Sequence, residues 1–150
     1  MSFLRKKLKM PKYTLCGADR SLIGKYEPSG RMLPDLLAKL ENGSDVFLSS
    51  CEQYWDYMDA GDGARAIAML GERGCDGQAY NIADGRYRVL KEFVYEAADI
   101  LGADRSLIHF GERAKPFIFL RPSVLKLKRD TGFEPKVTFK DSICLKNWKN

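Results

Sequence analysis

Four cysteines and one histidine are the residues best suited to metal binding or nucleophilic chemistry: Cys16, Cys51, Cys75, Cys144 and His109. A structural zinc site usually draws on closely spaced thiolates, because a CxxC pair reaches one ion from a single turn. No two of these cysteines have that spacing, and one histidine adds little. They read as free thiols kept reduced, which fits a cytoplasmic setting, or as small buried hydrophobes. A second pattern, Gly61-Asp62-Gly63-Ala64-Arg65-Ala66, mimics GxGxxA. Such glycines let a pyrophosphate approach the unpaired N–H groups of a helix start. Here Asp59 and Asp62 would set carboxylates beside the diphosphate, so the pattern is expected to bind no cofactor.

The chain has 150 residues, room for one compact domain with a real core. Its net charge is +5, which raises the question of a polyanionic partner. The basic residues are scattered, at positions 5–9, at Arg86 and Arg88, and at Lys126, Lys128 and Arg129, with acidic residues between most of them. No aromatic RNA-binding signature or helix-turn-helix pattern accompanies them, so no nucleic-acid partner is expected. A phosphate-bearing small ligand explains the positive balance equally well. No apolar run approaches the roughly 20 residues of a membrane helix, and no apolar stretch follows the basic MSFLRKKLKMPK opening as in a signal peptide. Residues 1–23 are expected to be an irregular basic segment, and residues 24–150 the folded unit.

The elements that would hold a site can be read from periodicity and punctuation. Leu33, Leu36, Leu37 and Leu40 form a helical stripe, with Pro34 in the first turn and Asn42-Gly43 as the stop. Val46–Leu48 and Tyr54–Met58 read as strands, as do Gln78–Ile82 and Leu107–Phe110, with a short strand near Tyr13–Cys16. Asp62 is expected to cap a helix carrying Ile67. Leu90, Phe93, Val94, Ala97, Ala98 and Leu101 form the clearest apolar stripe, ended by Gly102. Pro122 is expected to start another helix that stops at Gly132, and Thr138 or Asp141 to cap a last one running to Trp148. Alternating helices and short strands make this an α/β chain.

Three segments, in this order, resemble the nucleotide-sugar epimerases and dehydratases of the extended short-chain dehydrogenase/reductase superfamily. Gly24-Lys25-Tyr26-Glu27-Pro28, continuing to Pro34, is similar to the family's YGPxxxPxxxxP loop. Gln53-Tyr54-Trp55-Asp56-Tyr57-Met58-Asp59, continuing to Ile67, resembles QxRDFxYVDDVARAI. Gly77-Gln78-Ala79-Tyr80-Asn81-Ile82-Ala83-Asp84-Gly85, followed by Val89–Phe93, resembles GxxYNIGSGxxxSLxEL. A fainter match, Thr131–Val137, is like the family's closing LGWxPxxxLEEGL.

The resemblance implies the mixed α/β lobe that closes over a nucleotide sugar, and NAD(P) as the cofactor of the full-length family. It also implies a division of labour. The family's strand-GxxGxxG-helix unit does not open this chain, and the glycine pattern at 61–66 falls at an ordinary helix start. Tyr87 and Lys91 have the spacing of the family's catalytic tyrosine and lysine, but they fall at a turn and helix start far downstream of that position. No catalytic residue is therefore assigned, and the chain is expected to bind no cofactor alone. For substrate binding the resemblance points to Arg31, Met32 and Leu33 beside the nucleotide, to Gln53 and Trp55, and to Arg121 near phosphate. Trp55 stands where many relatives have an arginine that pairs with the diphosphate. It cannot supply charge, but it can stack on a base or sugar. Asp56 is expected to order the strand that follows it, and Asn81 and Gly85 to shape a turn.

The leading expectation is a substrate lobe that needs a dinucleotide-binding half from elsewhere: the remainder of a truncated or degenerate enzyme, or one piece of a split one. A non-catalytic binding or self-associating module is the alternative, and a basic nucleic-acid-binding domain a more distant one.

Overall fold

The computed structural model describes residues 14–16, 22–112 and 119–144. Among these described residues eight short strands are formed: β1 (Thr14–Cys16), β2 (Leu22–Ile23), β3 (Val46–Leu48), β4 (Tyr54–Trp55), β5 (Met58–Asp59), β6 (Ala79–Asn81), β7 (Arg88–Val89) and β8 (Ile108–Phe110). They pair two by two. β1 with β6, β2 with β5 and β3 with β8 are parallel, and β4 with β7 is antiparallel. Within the same described residues five α-helices accompany them: α1 (Met32–Glu41), α2 (Ala60–Arg73), α3 (Leu90–Leu101), α4 (Leu125–Thr131) and α5 (Phe139–Cys144). The class is mixed α/β, as the alternation of patterns predicts.

α1 buries Leu33, Leu36, Leu37 and Leu40, and α3 buries Leu90, Phe93, Val94, Ala97 and Ala98. These stripes face each other, and α5 adds Phe139 and Ile143 to form one core. At its centre Tyr57, Phe93 and Phe139 meet with ring centroids 4.8 to 5.5 Å apart. A second core joins Met58, Ala66, Leu70, Tyr80, Ile82, Leu127 and Phe133 across α2, β6 and α4. Burial of each large apolar side chain stabilises the fold by about 1.5–3 kcal/mol.

Several expectations are corrected by what the polar side chains do. The single strand Tyr54–Met58 is broken in two. Asp56, fully buried, turns away from any ladder and accepts the N–H groups of Asp84 (2.9 Å) and Gly85 (2.8 Å). It therefore fixes the turn after β6 rather than the strand following it. Burial pushes its carboxyl up, even against those two bonds. Gly85 has φ +85°, and a Cβ there would lie 2.7 Å from Val124 Cγ2, so this turn needs glycine on two counts. Asn81 Nδ2 donates to the Ser123 carbonyl at 3.0 Å. That bond ties the segment after Pro122 to β6, and α4 starts at Leu125 instead.

α2 begins two residues before the expected cap. Asp59 is the N-cap, and its Oδ1 accepts from Gly61 N (2.7 Å) and Asp62 N (3.3 Å). Asp62 instead reaches across to the chain ahead of α5. Its Oδ2 accepts from Lys136 N (2.6 Å) and Val137 N (2.9 Å), and its Oδ1 from Arg65 (2.6 Å). At α5, Thr138 Oγ1 accepts from Asp141 N while Asp141 Oδ2 accepts from Thr138 N, so both expected caps act together. The expected continuation of α5 to Trp148 lies outside the described residues. β2 and its pairing with β5 arise where the sequence reads as loop.

Asp62 gives a direct test of this scaffold. Burial alone would raise its pKa, but the bonds from Val137 N, Arg65 and Lys136 N together hold it below the usual carboxylate value. A depressed native pKa adds stability above the unfolded value, near 3.9, that is lost as pH falls through the folded one. Asp62→Asn is expected to flatten that part of the acid limb in urea titrations. Asp62→Ala is expected to cost about 1.5–3 kcal/mol or more, since a single hydrogen bond to a charged group is on that scale.

Candidate ligand-binding site

The site is built on the start of α3. No side chain caps this helix among the described residues. A helix start carries four N–H groups without intrahelical partners, and here a neighbouring chain segment receives two of them. Leu90 N donates to the Gln53 carbonyl at 2.8 Å, and Lys91 N to the Cys51 carbonyl at 2.9 Å. β4 and β7 continue the contact, pairing Tyr54 with Val89 and Trp55 with Arg88. Cys51 takes φ +50°, left-handed backbone for a non-glycine residue, at a cost of about 1 kcal/mol. The segment 51–55 is thereby locked on the end of α3.

Beyond this point the chain is extended, so side chains alternate between two faces. Gln53, Trp55 and Tyr57 line a cavity of about 350 Å³, whereas Tyr54 and Asp56 serve other contacts. Met32 from α1, Phe47 and Leu48 from β3, and Leu90 from α3 complete the walls, together with Ser49 and Cys51. The volume falls within the roughly 300–1,000 Å³ of small-molecule pockets. Burial pushes the Tyr57 phenol far up, with Glu27 adding to the effect, and burial likewise raises the Cys51 thiol. Both stay neutral at physiological pH. Two buried polar atoms of the lining residues, Trp55 Nε1 and Gln53 Oε1, have no hydrogen-bond partner among the described residues. Buried polar atoms are nearly always paired, and these two, closed off from solvent, are exceptions.

The residues singled out from sequence separate into groups. Met32, Gln53 and Trp55 meet in this cavity. Leu33 is 2 % exposed and lies in the core. Arg31 lines a different cavity of about 490 Å³ with Lys25, Tyr26 and Asp59, and its guanidinium lies 3.4 Å from Glu27. Arg121 is exposed and stacks 3.6 Å over the Tyr54 ring. Neither Tyr54 nor Arg121 is among the residues that line the cavity. The sequence reading missed Phe47, Cys51 and Tyr57. Phe47 was legible only as a strand residue, and nothing in the sequence announces the left-handed turn at Cys51.

Other motifs have local roles. The N–H groups of Gly61 and Asp62 are taken by Asp59, so the glycine pattern is an already capped helix start. Lys91 Nζ lies 4.2 Å over the Phe110 ring, and Tyr87 meets Tyr54 edge-on. His109 Nε2 is 2.7 Å from Asp45 Oδ1, with its ring stacked on Phe47. Among the described residues no cluster of three His, Cys, Asp or Glu could hold a metal, and no helix is long and apolar enough to cross a membrane. A third cavity, about 220 Å³, presents Arg86 and Arg88, but Asp84 and Glu96 neutralise them.

A residue kept for a ligand rather than for the fold can be replaced without loss of stability. Gln53→Leu removes an unpaired buried acceptor and is expected to leave the urea midpoint unchanged or raise stability by up to about 1 kcal/mol. A loss of about 2 kcal/mol or more would show that Gln53 is a structural group.

No protein-family model matches the sequence, and no curated protein matches it. Solved structures do match by fold. UDP-glucose 4-epimerase of Thermotoga maritima, solved with UDP-glucose, aligns with a TM-score of 0.74 at 23% identity, over 83% of this chain and 41% of that one. DesIV, a dTDP-glucose 4,6-dehydratase of Streptomyces venezuelae solved with NAD, gives 0.73 at 24% identity, over 89% and 41%. RMD of Pseudomonas aeruginosa, solved with NADPH, gives 0.69 at 22% identity, over 82% and 42%. The chain thus spans about two fifths of the length of these structures. Its fold is that of the corresponding part of nucleotide-sugar epimerases and dehydratases.

Proposed function

We propose that this chain holds a nucleotide sugar in the cavity between α1, β3 and β4, as the sugar-nucleotide-binding portion of an NAD-dependent epimerase or dehydratase. The observation that carries this reading is the meeting of Met32, Gln53 and Trp55, named from sequence for this role, around one cavity. Met32 and Leu48 offer apolar walls to a flat ring, and Trp55 adds aromatic surface. Tyr57, neutral and packed against Phe93 and Phe139, closes the floor.

NAD(P), where bound, accepts a hydride from the sugar or returns one to it. The residues that cradle the dinucleotide and move the proton belong, on this reading, to a partner segment outside these 150 residues. The chain's own part is to bind and orient. It captures the nucleotide end and leaves the sugar available to a partner that carries the cofactor, which is how remote binding energy serves a reacting centre.

The test is calorimetry with UDP-glucose and dTDP-glucose, each with and without NAD, alongside an assay for sugar conversion. The expected result is saturable binding whose affinity does not change with NAD, and no conversion. Absence of saturable binding by any nucleotide sugar would refute the binding role. Conversion by the purified chain alone would refute the division of labour.

A further inference from the structure

The Asn42-Gly43 pair that closes α1 takes no part in the ligand site. Asparagine is among the chemically labile residues, and a glycine successor makes it more so. Glycine has no Cβ to keep its backbone nitrogen away from the preceding side-chain carbonyl. Residues 41–45 are all exposed, so water and hydroxide reach the pair. Beyond its chain neighbours, no atom lies within 4 Å of where a Cβ on Gly43 would sit. Yet both groups that would react are engaged in the helix cap. Asn42 Nδ2 donates to the Ala38 carbonyl at 2.8 Å, and Gly43 N donates to the Leu40 carbonyl at 3.1 Å. With ψ 4° at Asn42 and φ +64° at Gly43, the Gly43 N–H points back into the helix.

We propose that Asn42 is a site of spontaneous deamidation, and that opening of the last turn of α1 sets its rate. The Gly43 nitrogen, once its proton has passed to hydroxide, attacks Asn42 Cγ. A C–N bond forms and closes a five-membered succinimide, while the Cγ–Nδ2 bond breaks and ammonia leaves with a proton from water. A second water opens the ring at either carbonyl, giving an aspartate or an isoaspartate whose main chain runs through Cγ. Nothing is oxidised or reduced, and water is the only co-reactant. Ring closure waits until both cap bonds are broken. Helix ends open locally at little cost, so the cap slows the reaction without abolishing it. Two ordinary hydrogen bonds correspond to a slowing of roughly ten- to hundredfold. The product places a carboxylate at the C-terminal end of α1, where the helix dipole disfavours negative charge, and removes the donor to Ala38. The proposal stands independently of what the cavity between α1, β3 and β4 binds.

The experiment keeps the full chain at neutral and mildly alkaline pH, folded and in urea, and follows residue 42 by peptide mass mapping. The expected result is a gain of about 1 Da at Asn42 in the folded chain, faster at the higher pH and roughly ten- to hundredfold slower than in urea. Asn81, followed by the β-branched Ile82 and bonded to the Ser123 carbonyl, should stay unmodified over the same period. Asn42→Gln should abolish the gain, and Asn42→Asp, which mimics one product, should lower the urea midpoint, with circular dichroism showing that both variants fold. A folded-state rate within about threefold of the rate in urea would show that the cap exerts no hold, and a slowing of about a thousandfold or more would show that the folded chain closes Asn42 to this chemistry. Either result overturns the proposal, and neither depends on a variant.

Discussion

The cavity depends on a helix start that has no side-chain cap among the described residues. α3 hands the N–H groups of Leu90 and Lys91 to the carbonyls of Gln53 and Cys51, and this fixes the distance and facing of the 51–57 segment. Since side chains alternate along an extended chain, fixing two carbonyls fixes which residues look at the cavity and which look away. Gln53, Trp55 and Tyr57 fall on the cavity side, while Tyr54 and Asp56 turn to the Arg121 stack and the Asp84–Gly85 turn. A slip of one residue would exchange the two sets. The left-handed backbone at Cys51 is the strain that goes with this arrangement.

Buried carboxylates supply the rest of the framework, and each is committed to backbone N–H groups. Asp56 holds residues 84 and 85, Asp59 caps α2, and Asp62 holds residues 136 and 137. Asp59 also accepts the Ser142 hydroxyl at 3.0 Å, joining α2 to α5. In the glycine-rich string at 61–66 the N–H groups of Gly61 and Asp62 already meet a carboxylate, that of Asp59. The residues lining the cavity between α1, β3 and β4 include no acidic group.

Much of the fold was legible in the sequence wherever a periodic apolar stripe met a strong stop. α1 and α3 follow their leucine and Phe/Val/Ala stripes to Asn42-Gly43 and Gly102. Boundaries moved where a side chain served a distant backbone group. Asp56 split one expected strand, Asn81 delayed α4, and Asp62 was engaged with residues 136 and 137 instead of capping its helix. Those contacts span 28 to 75 positions, and no local pattern encodes them. The candidate site was legible in part for the same reason. Met32, Gln53 and Trp55 could be named from motif resemblance, but the sorting of Arg31, Leu33 and Arg121 away from them follows from register, helix facing and a cation–π contact.

The most direct measurement is amide hydrogen exchange with and without UDP-glucose. A ligand seated in this cavity should slow exchange at Leu90 and Lys91, whose bonds hold the wall, and across residues 46–57, while α4 and the 131–137 turn stay unchanged. Slowed exchange confined to the region of Arg86 and Arg88, or none anywhere at saturating ligand, would contradict the placement of the site.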